Sequence, residues 1–298
     1  MKQSKGTIAV FLAPAIILFA IVFIYPVVRT VGMSFNEVGN ITADSSTWSW
    51  TGISNYVDLM NTRLFRISMV NFLKIWIFTG IATLVLALLL ATILTSGIIG
   101  QKFFRAVIYM PNVISGVAVG YMWLLYVFNA DYGLLHSLFL KLGWETAANF
   151  QWLSVGGNVF LAMCIAYVFS SVGYYMLMYI SGIEKISKDY YESATLDGAN
   201  GFQKFMNITL PLLKGVIGTS ITLWTSRVMG FFALSQIFNS TETTVPMKYV
   251  YQLLFGSSDE VTELKVGKAA AAAVVMTVTV TIISMVIKRV IKDENYEI

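Results

Sequence analysis

Few residues in this 298-residue chain have types or spacings suited to covalent chemistry. The one histidine, His136, sits in a polar stretch, and the one cysteine, Cys164, sits in an apolar run. They form no nucleophile–base pair and no zinc spacing, and a single cysteine allows no intrachain disulfide. The Gly-x4-Gly-Lys-Ser/Thr phosphate loop is absent, so the chain has no such motif for hydrolysing ATP. Arg227 is different, because it is the one charge deep inside the apolar run 210–239, whose other charge, Lys214, lies near the start of the run. A charge placed there is costly and marks either a pathway or a buried partner. Its planar fork suits a carboxylate or sulfate. On a helix, Trp224 (i−3) and Phe231 (i+4) share its face. Tyr174 and Tyr175, in an earlier apolar run, could line the same cavity. The plainer alternatives are an arginine tied to a neighbouring helix and aromatics that only pack or face lipid.

A second constellation occupies the polar stretch 183–209, between two apolar runs. Ser187 can cap a helix starting near Lys188. Asp197 and Gly198 supply a stop, since glycine accepts the left-handed conformation that ends helices. Phe202, Phe205 and Ile208 then recur at helical spacing. Thr209 can cap the next helix, and Pro211 suits its first turn. These signals predict two short helices at an angle, lying against a membrane face. Glu192 and Asp197 offer carboxylates to a basic partner, and Ser193, Ala194 and Gly198 allow close approach. The alternative is an amphipathic interfacial loop with no partner.

The elements that position these residues are apolar. Hydrophobic residues make up 57% of the chain and charged ones 12%, about half the usual charged share of a soluble domain. A net charge of +4 gives no reason to expect nucleic-acid binding. A spanning helix needs about 20 mainly apolar residues. Six runs qualify: 7–33, 67–96, 106–129, 157–182, 210–239 and 268–287. The first begins like a signal peptide but is long enough to span and lacks a clean cleavage site, so it reads as a retained helix. The chain therefore reads as an all-α integral membrane protein, a single domain over 1–298. Lys and Arg are more numerous, in shorter loops, on the face that holds both termini, 97–105 and 183–209. That bias places both termini in the cytoplasm.

The stretch from Glu192 to Pro211 resembles a known family. Glu192, Ser193, Ala194, Gly198, Ile208, Leu210 and Pro211 match the signature of permeases of binding-protein-dependent ABC importers, with Ser193 in place of a second alanine. Asp197, Gly198 and Ala199 are similar to the carbohydrate branch related to the maltose and glycerol-phosphate permeases. Tyr25-Pro26, Ser34-Phe35, Asn55-Tyr56, Phe103-Phe104-Arg105 with Pro111, and Gly133-Leu134-Leu135 extend the likeness along the chain. The Gly-Gly-Pro often found after the fifth span is absent. The resemblance implies that 183–209 is a coupling helix inserted into an ATPase subunit, which would bind the ATP and magnesium, so this chain itself needs no cofactor. It also implies a second related permease, an external substrate-binding protein and a prokaryotic cell membrane. The cargo would be an oligosaccharide or sugar derivative, with Arg227 favouring an acidic one.

A self-contained secondary transporter or channel is the rival reading. It needs its own ion-coupling groups, and no acidic residue accompanies Arg227 within the spans.

Overall fold

The protein is described by a computed structural model covering residues 5–154, 156–256 and 265–290. The described residues fall into two compact units. One comprises those up to Arg66 with those from Tyr249 to Val278, and the other comprises Ile67–Lys248 with those from Thr279 onward.

The first unit opens with α1 (Lys5–Phe19) and α2 (Tyr25–Ser34), joined by a π-helical turn over Ala20–Ile24. Pro26 explains the turn, because it has no N–H to offer the carbonyl four residues back. None of the apolar window in Val10–Ser34 is buried within the chain. The exit of α2 is held by polar contacts. Ser34 Oγ hydrogen-bonds the Tyr56 hydroxyl at 2.7 Å, and Asn55 Nδ2 donates to the carbonyls of Ser34 and Asn36 at 3.0 Å each. A two-stranded antiparallel ribbon follows, β1 (Asn36–Glu37) with β2 (Ser49–Trp50). Between its strands, Asp44 accepts from the Ser46 backbone N–H at 2.9 Å, and its hydrogen bonding to Ser46 holds the carboxyl below its ordinary pKa. The unit continues with α3 (Ser54–Asn61) and the start of α4 (Arg63–Lys74).

The second unit takes α4 onward through a π turn, Ile75–Thr79, into α5 (Gly80–Thr95). It then holds α6 (Gln101–Val113), α7 (Gly116–Met122), α8 (Leu134–Lys141), α9 (Glu145–Ala148) and α10 (Asn158–Ile183). Next come α11 (Lys188–Leu196), α12 (Gly201–Lys204), α13 (Leu210–Leu212), α14 (Lys214–Met229) and α15 (Ala233–Ile237). Its core gathers around α10, where Ala162, Met163, Ala166, Tyr175 and Met176 are fully buried. Gly173 lets α6 approach α10. A Cβ there would overlap the Ile108 carbonyl oxygen and lie 2.7 Å from Tyr109 Cα.

Like α4, two further helices have residues in both units. α16 (Pro246–Phe255) and α17 (Val266–Val290) complete the chain's described elements. Within the first unit, Val266 and Ala270 of α17 cluster with Met33 and Val38. The alanines Ala269–Ala272 are buried inside this chain.

Four helical stretches are long and apolar enough to cross a membrane: Val10–Ser34, Arg63–Thr95, Asn158–Ile183 and Val266–Arg289. Two bent pairs supply the rest. Gln101–Val113 meets Gly116–Val127 at 100°, and Gly201–Leu212 meets Lys214–Ile237 at 67°. Counting each pair as one span gives the six that composition predicts. The runs 106–129 and 210–239, read as spans, are each made of broken helices. At the first break Ile114 and Ser115 are extended (ψ 143° and 142°), and Ser115 Oγ accepts from the Ala118 N–H at 3.2 Å, starting a new helix.

Candidate functional site

The loop between α10 and α14 is built from strong local signals. Ser187 caps α11 by accepting from the Asp189 N–H at 3.3 Å. The helix ends in a Schellman motif. The Ala199 N–H donates to the Ala194 carbonyl at 2.8 Å, and the Gly198 N–H donates to the Thr195 carbonyl at 3.1 Å. Gly198 takes φ +78°, a conformation that disfavours a side chain. Asn200 and Gln203 then form a reciprocal capping box at 2.9 and 2.8 Å and open α12. A π turn over Phe205–Thr209 precedes Pro211 in α13.

Side chains make this turn one body. The Tyr191 hydroxyl meets Thr209 Oγ1 at 2.9 Å, and Lys204 Nζ donates to Thr195 Oγ1 at 2.8 Å. At its root, Arg105 of α6 pairs with Glu184, the cap of α10, at 2.8 Å. Among the described residues, much of the outer surface of this loop is uncovered. Glu192, Ser193, Asp197 and Gly198 are exposed, Ala194, Ala199 and Pro211 are half-buried, and Leu196 is 90% exposed and Phe202 72%.

A cleft of about 180 Å³ forms where two helix breaks come together, the one between α6 and α7 and the one between α14 and α15. Pro111, Asn112, Ile114 and Gly116 line it from the first break, Gly230, Phe231 and Phe232 from the second, and Tyr167 and Ser170 from α10. Arg227 lies at its edge in the last turn of α14. Its Nη2 donates to Asn112 Oδ1 at 2.9 Å, and its guanidinium carbon sits 5.5 Å from the centre of the Tyr174 ring. That ring contact is a cation–π interaction.

The structure brings only some of the expected cavity residues to this cleft. Tyr174 meets Arg227, while Tyr175 is fully buried against Trp224 and Tyr174, with ring centroids 5.8 and 5.1 Å away. Trp224 does not line the cleft. It is 1% exposed, and its indole N–H donates to the Trp76 carbonyl at 2.9 Å. The π turn frees that carbonyl, since the Gly80 N–H bonds Ile77 instead. The indole of Trp76 donates in turn to Thr225 Oγ1 at 2.9 Å. Phe231 does reach the cleft, but not along a shared helix face. α14 ends at Met229, and the Gly230 N–H closes back on the Arg227 carbonyl. Asn112, Tyr167 and Ser170 are the contributors that sequence reading missed. Pro111-Asn112 before Ser115-Gly116 is the signal for a break, hidden there by the length of the apolar run.

Residues 59–293 match the model of the family described as "Binding-protein-dependent transport system inner membrane component". The chain belongs to this family. The permease is 26% identical over 294 residues to the arabinooligosaccharides transport system permease protein AraP of Bacillus subtilis (strain 168), covering 95% of this chain and 88% of that one. It is 26% identical over 288 residues to the sulfoquinovosyl glycerol transport system permease protein SmoG of Agrobacterium fabrum (strain C58 / ATCC 33970), covering 95% and 90%. Its fold matches a chain in the crystal structure of a bacterial ABC transporter involved in the import of the acidic polysaccharide alginate. That match has a TM-score of 0.81, 19% identity, and coverage of 98% of this chain and 96% of the other. The permease is thus a membrane transport component rather than an enzyme. Among its described residues, no three His, Cys, Asp or Glu side chains gather as a metal site.

Proposed function

We propose that this permease is the membrane subunit of an ATP-driven carbohydrate importer, forming the translocation path with a second, related permease. Membership of a binding-protein-dependent transport family supports an external substrate-binding protein as a further partner. The names of its relatives concern arabinooligosaccharides and sulfoquinovosyl glycerol, so the cargo class is a saccharide or sugar derivative. The observation that carries the reading is the braced, exposed loop from α11 to α13. It offers Glu192, Asp197, Leu196 and Phe202 outward between two membrane elements. In this reading an ATPase subunit, holding ATP and magnesium, receives that loop, with Ser193, Ala194, Gly198 and Ala199 allowing close contact. A rigid loop converts closure of the ATPase pair into rigid-body movement of α10 and α14. The cleft beside Arg227, Tyr174 and Phe231 lies on the cargo's path. The setting is a prokaryotic cell membrane, with both termini and the 183–209 loop in the cytoplasm.

Reconstitution tests this. The permease with its partner permease, ATPase and binding protein in proteoliposomes takes up saccharide only when ATP is supplied. Uptake by this chain alone, without ATP, would instead establish a self-contained transporter.

A further inference from the structure

Arg227 is a charged group in an apolar segment with an incomplete set of partners. Among the described residues it forms no ion pair, and its polar contact is the neutral Asn112 amide oxygen at 2.9 Å. A guanidinium carries five N–H donors, and one hydrogen bond to an amide leaves most of them unsatisfied by protein. The ring of Tyr174 lies alongside at 5.5 Å and attracts the cation without neutralising it. Burying or lipid-embedding such a charge is costly unless something opposite in sign meets it. Arg227 nevertheless remains exposed at the edge of the cleft. A second observation points the same way. Tyr167 lines that cleft and is nine-tenths buried, and its hydroxyl, with Ser171 as its neighbour, makes no hydrogen bond of ordinary geometry. Buried hydroxyls are ordinarily paired.

The cleft is also small. Its 180 Å³ is below the roughly 300 Å³ at which sites for drug-sized ligands begin. It fits one terminal group of a cargo rather than a whole oligosaccharide. From these facts we infer that the cleft binds the anionic group of an acidic saccharide (carboxylate, sulfate or phosphate), with Arg227 as its counter-ion and Asn112 as the partner it displaces. Asn112 supplies a neutral acceptor that holds the guanidinium in place between cargoes. A carboxylate at position 112 would hold it too firmly, because a charge-assisted pair is about twice as strong as a neutral hydrogen bond. Phe231 and Phe232 supply apolar walls for the ring that bears the anion. This inference rests on the importer reading above and adds the charge class of its cargo.

The test uses the assembled importer in lipid nanodiscs, titrated with matched pairs differing at one group. One pair is a uronic acid disaccharide and its methyl ester, and the other is a disaccharide phosphate and its parent sugar. In the unaltered complex the acidic member of at least one pair binds about 10- to 100-fold more tightly, as expected for a hydrogen bond to a charged group. Arg227→Gln brings that ratio to about one. Arg227→Lys keeps the charge but loses the fork, so it gives an intermediate ratio. Asn112→Asp supplies an internal carboxylate and lowers the ratio at least tenfold, which decides the matter if Arg227→Gln does not assemble. A ratio near one for both pairs in the unaltered complex overturns the inference, as does a ratio that neither Arg227→Gln nor Asn112→Asp changes. ATP-driven uptake of neutral sugars without acid preference would leave the importer reading standing and remove this one. Failure to take up any saccharide would remove both.

Discussion

Trp224 shows what a side chain's hydrogen bond decides. An aromatic three residues from a lone arginine reads as a cavity wall, but its indole N–H is committed to the Trp76 carbonyl. That acceptor exists only because the π turn at Ile75–Thr79 releases it, and no residue pattern in the apolar run announces a π turn. Trp224→Phe keeps most of the packing and leaves the carbonyl unpaired. We expect a loss of about 1–3 kcal/mol, seen as a lower midpoint of thermal unfolding in detergent, with cargo preference unchanged. An altered preference at full stability would return Trp224 to the transport path. Arg227 itself was legible, because one charge in an apolar run has few explanations. Asn112 was not, because a single amide in such a run is unremarkable until the chain bends and brings it to 2.9 Å from a residue 115 positions away.

The loop from α11 to α13 is an element whose sequence and structure agree closely. Ser187 and Gly198 are local signals that act over three or four residues, so they survive without knowledge of the tertiary fold. The Asn200–Gln203 box is a further local signal that the sequence reading missed, and Thr209, read as a cap, instead meets the Tyr191 hydroxyl. The helix breaks at Ile114–Ser115 and Gly230–Phe232 lack that clarity, because hydropathy counts apolar residues and is blind to direction. Gly198→Ala forces a side chain into the left-handed region, costing about 1–2 kcal/mol in the loop. We expect faster amide exchange over 188–204 and less saccharide moved per ATP hydrolysed, with binding at the cleft unaffected. Unchanged exchange and coupling would show that the loop does not depend on its Schellman turn.

At the scale of the molecule, lipid is the solvent that this composition requires. The apolar window of Val10–Ser34, wholly unburied within the chain, needs lipid or a partner to cover it. The proposed six-span topology has both termini on one side. With cysteines placed in turn at Ser137 and Ser193, in a background where Cys164 is alanine, a membrane-impermeant thiol reagent added outside intact cells should label only position 137. Labelling of position 193 would reverse the proposed orientation. The importer account itself turns on whether ATP hydrolysis and saccharide uptake are joined through the exposed loop. The most direct measurement follows both rates in the same proteoliposomes, for the complete importer and for its Glu192→Lys variant. The account predicts ATP-dependent uptake in the first, and in the second a loss of ATPase docking or of uptake per ATP, with sugar preference preserved. Equal coupling in both, or a variant that changes sugar preference and leaves coupling intact, would contradict it.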